Sequence, residues 1–246
     1  VKPIRAFAID IDGTLTENGC GMVHLAAFTS LRFLEYLGFK VVYVTGRSSI
    51  EAYLLALFGG TTKVAIGENG GVITTGPQDH ILLGNKQVCL SGYEILRERI
   101  EGVQVKPVFN RLTEVVLYRN FDIKEGNEIL KENNLDLLLT DSKYAYHINE
   151  RRVDKALGLR RALAILKVEP DETVAIGDSE TDVPLFDFCG SSVALAHAED
   201  TVKEKAKHVV TGAAGQGLLD AIELVSMKYL GKTSQDDISR IINRGP

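Results

Sequence analysis

The chain has 246 residues, 45% of them hydrophobic and 25% charged, the balance of a soluble globular protein with enough material for one large domain or two modest ones. Its 28 basic and 33 acidic residues leave a formal charge of −5, so the overall balance offers nothing to nucleic acid or an anionic membrane, and an anionic ligand must be attracted locally. No run reaches the roughly 18 consecutive apolar residues of a spanning helix, and the opening VKPIRAFAIDID leads into a strand without a signal-peptide layout; a cytoplasmic protein is expected.

Ile4 to Ile11 is a nearly continuous apolar run, repeated in KVVYVTG (40–46) and TVAIGD (173–178), as expected of strands in a parallel sheet covered on both faces. Between the first two, HLAAFTSLRFLEYLG sets Ala27, Leu31, Leu34 and Leu37 on one helical face and stops at Gly38. SSIEAYLLALFGG follows as a helix with serines to cap it and glycines to end it. KVAIGE then meets NGGVITT across an Asn-Gly pair, a hairpin signal. Beyond it the rhythm changes to helix (GYEILRERIEG), strand (TEVVLYR), helix (IKEGNEILKENN) and two strands (DLLLTDS, YAYHINE). From Arg152 alternation resumes, with helix VDKALGLRRALAIL, strand TVAIGD, helix VPLFDFCG, strand SSVAL, helix DTVKEKAK, strand HVVTG and helix GLLDAIELVSMKYL. The predicted fold is α/β: a Rossmann-like parallel-sheet core at 1–80 and 152–230, an inserted α+β domain at 81–151, and a C-terminal tail at 231–246 that is either frayed or a short helix. Cys20, Cys89 and Cys189 are odd in number and far apart, which predicts three reduced, mostly buried thiols.

Side chains two apart on a strand point the same way, so Asp10 and Asp12 can face one pocket if the first strand continues that far. Two carboxylates so close repel, and a cation relieves them. GDSETD supplies further oxygen ligands in Asp178 and, four residues on, Asp182; such a donor set suits Mg²⁺. Thr45, at the end of the second strand, and Lys155, at the start of the helix after the insertion, would reach the same sheet edge. A hydroxyl, an ammonium and a magnesium ion together make a phosphate site.

The set DIDGT (Asp10 to Thr14), Thr45, Lys155 and GDSETD (Gly177 to Asp182), in that order, resembles the four motifs of the haloacid dehalogenase superfamily of phosphohydrolases. The insertion is like the cap of the Cof-type branch, which includes sugar phosphatases and the archaeal phosphoglycolate phosphatases, and the short chain and compact cap are most like the latter. The resemblance implies Asp10 as the nucleophile that becomes an aspartyl-phosphate, and Asp12 as general acid toward the departing alcohol and then base toward water. Thr45 and Lys155 would hold phosphoryl oxygens. Mg²⁺ would be held by the Asp10 carboxylate, the Asp12 carbonyl and Asp178, with Asp182 a ligand directly or through water. The implied reaction is hydrolysis of a small phosphorylated metabolite, 2-phosphoglycolate foremost, with no nucleic-acid or membrane partner and a homodimer left open. The rivals are a sugar-phosphate or mannosylglycerate-type phosphatase, a phosphomutase on the same scaffold, and a binding protein without turnover.

Other residues carry two readings each. Asn69 in GENGG is a hairpin residue or an active-site loop contact, and Arg47 an anion contact or an exposed turn residue. Arg111 and Arg119 either grip a substrate carboxylate or are exposed strand charges. GAAGQG lacks the Lys-Ser/Thr ending of a P-loop and reads as a glycine-rich helix entry. His24, His80, His147, His197 and His208 show no metal-ligand spacing, and none is assigned a role.

Overall fold

The computed structural model describes residues 2–17 and 21–229. The first part of the chain forms β1 (Ala6–Ile9), α1 (Leu25–Tyr36), β2 (Lys40–Tyr43), α2 (Ser49–Gly59), β3 (Ala65–Gly67) and β4 (Val72–Thr74). Next come β5 (His80–Leu82), α3 (Lys86–Arg99), β6 (Val115–Leu117), α4 (Ile123–Glu132), β7 (Leu137–Asp141) and β8 (Tyr146–Glu150). The last part forms α5 (Lys155–Leu166), β9 (Thr173–Gly177), α6 (Val183–Phe188), β10 (Ser191–Ala194), α7 (Asp200–Lys203), β11 (His208–Val209) and α8 (Ala214–Tyr229). Cys20 and the predicted tail at 231–246 lie outside the described residues.

The predicted α/β class holds. A parallel sheet runs in the order β11-β10-β9-β1-β2, with β1 paired to β2 and β9 on its two sides. β1 is buried on both faces, which is why its sequence shows no polar alternation. Phe7 and Ile9 pack with α1, α2 and α8, whereas Ala6 and Ala8 face the side holding Leu159 and Leu163 of α5. The hairpin β3-β4 forms as expected, and β5, unforeseen in the sequence, adds a third antiparallel strand.

The insertion closes its own core. β6-β8-β7 is an antiparallel sheet in which Leu137, Leu139, Val115, Leu117, Tyr146 and Ile148 bury one face beneath α3 and α4. α3 begins at Lys86, ahead of the predicted start, because the Asn85 side chain accepts a hydrogen bond from the Gln87 N–H and caps an earlier first turn. α8 likewise begins inside GAAGQG. Cys89 and Cys189 are free and buried, and burial pushes both thiols up to about 12, which keeps them as packing groups. Among the described residues no helix is long and apolar enough to cross a membrane.

Candidate active site

The ladder between β1 and β9 gains one further bond, from Asp10 N–H to the Ile176 carbonyl at 3.1 Å. Asp10 thus keeps the parity of Ala6 and Ala8 and turns toward α5. The chain then leaves the strand: the N–H groups of Thr14, Leu15 and Thr16 all donate to the Ile11 carbonyl. The condition for Asp12 to share a face with Asp10, a strand continuing that far, is not met. Gly13 makes the turn with φ +83°, a conformation that favours glycine, and a Cβ there would come within 2.5 Å of Asp178 Oδ2.

Lys155 is the first residue of α5, capped by the Asp154 side chain, which accepts from Leu157 N–H. The hairpin turn presses on this helix start: a Cβ on Gly70 would meet the Asp154 carbonyl at 1.8 Å. The close approach buries Lys155 to 2% exposure, and its Nζ donates to Asp10 Oδ1 and Asp182 Oδ1, both at 2.7 Å. Burial works against the ammonium, but the Coulombic pull of Asp10 and then Asp182 more than offsets it and holds Lys155 above its ordinary value. Asp10 shifts upward because burial comes first; Lys155 opposes that shift, while Asp182 and Asp178 reinforce it.

Asp178 accepts from the Thr14 hydroxyl at 2.7 Å and lies 3.2 Å from His197 Nε2. Carboxylate oxygens of Asp10, Asp178 and Asp182 lie within 4.8 Å of one another. Three carboxylates against one ammonium leave a formal surplus of two negative charges, and all donors are hard oxygens, which fits a divalent cation of the Mg²⁺ or Ca²⁺ type. Asp182 is already committed: besides Lys155 on Oδ1, its Oδ2 accepts from Asp178 N–H, Ser179 N–H and the Ser179 hydroxyl. Three of those bonds fall on Oδ2 and one on Oδ1, so Asp182 is held rigidly beside Asp10 and Asp178.

Thr45 is 1% exposed and its Oγ1 accepts from Arg47 N–H. Arg47 grips Asp12 with Nε and Nη2, both at 2.7 Å, while Nη1 reaches Glu51 at 3.1 Å. Asp12 therefore stands half-exposed at the mouth of the cavity, and Arg47 is occupied by a carboxylate of the protein itself. Asn69 adopts the left-handed conformation of the turn at φ +51°, yet its buried side-chain amide has no hydrogen-bond partner among the described residues and lines the cavity.

These residues surround a cavity of about 1130 Å³ that Phe109, Arg111, the β7-β8 turn and His147 of the insertion also line. Register explains the side on which His147 stands. Val116 pairs with His147 and Thr140 pairs with His147, opposite in parity to the buried Val115 and Ile148. His147 Nδ1 meets Glu114 at 3.0 Å and Nε2 meets the Ser142 hydroxyl at 3.0 Å. His147 and His197 thus line the cavity, although ligand spacing gave them no part; the alternation of His147 and Asn149 with Tyr146 and Ile148 was the available signal. Of the two candidate arginines, Arg111 is buried against Glu114, whereas Arg119 is exposed and ties down the β7-β8 turn through Asp141 and the Lys143 carbonyl. Lys143 in that turn reaches Glu199 of the core at 2.5 Å, across the cavity mouth.

Burial disfavours the Glu114 charge, but His147 and then Arg111 overcome this and hold it below the ordinary 4.5. A carboxyl lowered on folding contributes stability that is whole above its ordinary value and is lost as pH falls toward the folded one. Glu114→Gln is therefore expected to be less stable than the parent at neutral pH, with the gap narrowing on acidification below about pH 4.5. Urea midpoints across that range check this; a gap independent of pH would refute it.

A model of the haloacid dehalogenase-like hydrolases matches the chain in two segments, residues 7–120 and 103–222. A phosphoglycolate phosphatase from Nitrosopumilus maritimus is 52% identical over 89% of this chain and 95% of its own length. Another phosphoglycolate phosphatase, from Archaeoglobus fulgidus, is 33% identical over 92% of this chain and 98% of its own. Among solved structures, a protein from Thermoplasma acidophilum superposes with a TM-score of 0.79 at 25% identity, covering 88% of this chain and 96% of that one. The chain belongs to the haloacid dehalogenase-like hydrolases.

Proposed function

We propose that this protein is a Mg²⁺-dependent phosphatase that releases glycolate and phosphate from 2-phosphoglycolate through an aspartyl-phosphate. The observation that carries the reading is the buried Asp10–Lys155–Asp182 network beside Asp178, at the carboxyl edge of a parallel sheet. The names of the similar archaeal enzymes supply the substrate. Domain roles follow: 1–80 and 152–230 carry the chemistry, and 81–151 caps it.

Lys155 binds Asp10 Oδ1, so Oδ2 is the oxygen that attacks phosphorus. The P–O bond to the alcohol breaks as the Asp10–phosphorus bond forms, and Asp12 delivers a proton to the departing oxygen. Asp12 then takes a proton from water, which attacks phosphorus and frees Asp10. Arg47, gripping both Asp12 oxygens, must yield one of them for this transfer. Thr45 and Lys155 hold the phosphoryl oxygens. The Asp10 carboxylate, the Asp12 carbonyl and Asp178 would hold Mg²⁺, with Asp182 acting through water; the ion supplies positive charge for the phosphoryl oxygens.

Phosphate release tests the reading. We expect kcat/KM for 2-phosphoglycolate to exceed that for glucose 6-phosphate or mannosyl-3-phosphoglycerate by about 100-fold, with activity abolished by chelator and restored by Mg²⁺. Equal turnover of the sugar esters would refute the substrate, and full activity in chelator would refute the metal.

A further inference from the structure

We propose that Arg111, backed by Glu114 and His147, forms a carboxylate-binding subsite on the cap wall of the cavity, which selects phosphate esters whose alcohol carries a carboxylate. The proposal rests on the phosphatase reading and adds the group that reads the leaving alcohol. Arg111 is 8% exposed and lines the cavity, yet its Nε and Nη1 have no hydrogen-bond partner among the described residues. Glu114 Oε1 lies 3.4 Å from Nε, close enough for attraction but without a hydrogen bond, and Oε1 is itself unpartnered. A buried guanidinium with idle donors demands an explanation. Its planar fork matches a carboxylate, to which it can offer two parallel bonds.

Glu114 is shared between Arg111 and His147, so one carboxylate serves two basic groups, and its Oε2 is occupied by His147. Arg111 therefore shares its carboxylate partner with the His147 ring nitrogen. It is also held in place: Lys86 Nζ donates to the Arg111 carbonyl at 2.6 Å. The next two residues are clamped by Glu68, whose carboxylate accepts from Leu112 N–H, Thr113 N–H and the Thr113 hydroxyl.

Glu68 is the immediate neighbour of Asn69, whose N–H donates to the Thr45 carbonyl. A single stretch of chain therefore ties the cap arginine to the phosphoryl end of the cavity. That chain links the two anion sites, and a small ester with phosphate at one end and carboxylate at the other needs both at once. A sugar phosphate presents hydroxyls to Arg111 and leaves the fork unmatched.

The experiment compares 2-phosphoglycolate with 2-hydroxyethyl phosphate, which replaces the carboxylate by a neutral CH₂OH, using wild type, Arg111→Met and Arg111→Lys. Wild type should prefer 2-phosphoglycolate, and Arg111→Met should lower its kcat/KM by about 10- to 100-fold, mainly through KM, while 2-hydroxyethyl phosphate changes by less than about threefold. Arg111→Lys keeps the charge but not the fork, so it should lose most of the preference; it carries the comparison if the methionine variant does not fold. Equal losses on both esters would make Arg111 structural only and overturn the proposal, as would a preference that survives in Arg111→Lys. Wild-type release from both esters without preference would sink the subsite and leave the phosphatase standing. Release from neither would sink the phosphatase reading and the subsite with it.

Discussion

Asp10→Asn is expected to lower kcat by about 10³-fold or more while leaving the protein at least as resistant to urea as the parent in the presence of chelator. The amide keeps the shape of the carboxylate but cannot form the aspartyl-phosphate. The stability half follows from the environment of Asp10, which is 4% exposed and shifted upward by burial, with Asp182 and Asp178 adding to the shift against the pull of Lys155. A carboxyl whose folded pKa lies above its unfolded value binds its proton more readily when folded, so at neutral pH its ionisation opposes folding. A neutral amide removes that opposition, and Lys155 keeps Asp182 as its partner. Mg²⁺ should raise the urea midpoint of wild type more than that of the variant, because binding to the folded state alone stabilises it. Substantial turnover by Asp10→Asn would sink the nucleophile; a midpoint well below the parent's would show that the buried charge supports the fold.

The parts of this arrangement legible in the sequence share a cause. β1, β2 and β9 are buried on both faces, so their apolar runs announce them, and Asp10 and Asp178 are conspicuous as charges where such runs end. Other features depend on contacts that no local pattern encodes. The Asp12–Arg47 grip joins residues 35 apart in sequence. Strand parity suggested that Asp12 would follow Asp10, but the helical turn onto the Ile11 carbonyl broke that parity at once. Lys155 stands out among five nearby basic residues only because Gly70 admits the hairpin turn against Asp154 and seals the start of α5. His147 was legible in principle, since it alternates with Tyr146 and Ile148; a search for metal-ligand spacing passes over a histidine whose partners are Glu114 and Ser142.

Lys155→Met should have the opposite effect on stability. Its ammonium is 2% exposed and bonded to two carboxylates, so the thioether strands Asp10 and Asp182 beside Asp178 with no cation among them. Removing one partner of a buried ion pair costs about 3–5 kcal/mol, because the other partner remains as an uncompensated charge. The variant is expected to lose that much in urea unfolding with chelator present and to regain part of it in Mg²⁺, while phosphate release falls with the loss of a phosphoryl contact. Acidification should narrow the deficit, because Asp10 is already shifted toward its protonated form and loses its charge as pH falls. The double variant Asp10→Asn with Lys155→Met separates this account from simple loss of packing. If the cost is stranded charge, neutralising Asp10 relieves part of it, and Asp10→Asn gains more stability in the Lys155→Met background than in the parent. If the cost is lost packing around the lysine stem, the two effects add and the gain is the same in both backgrounds.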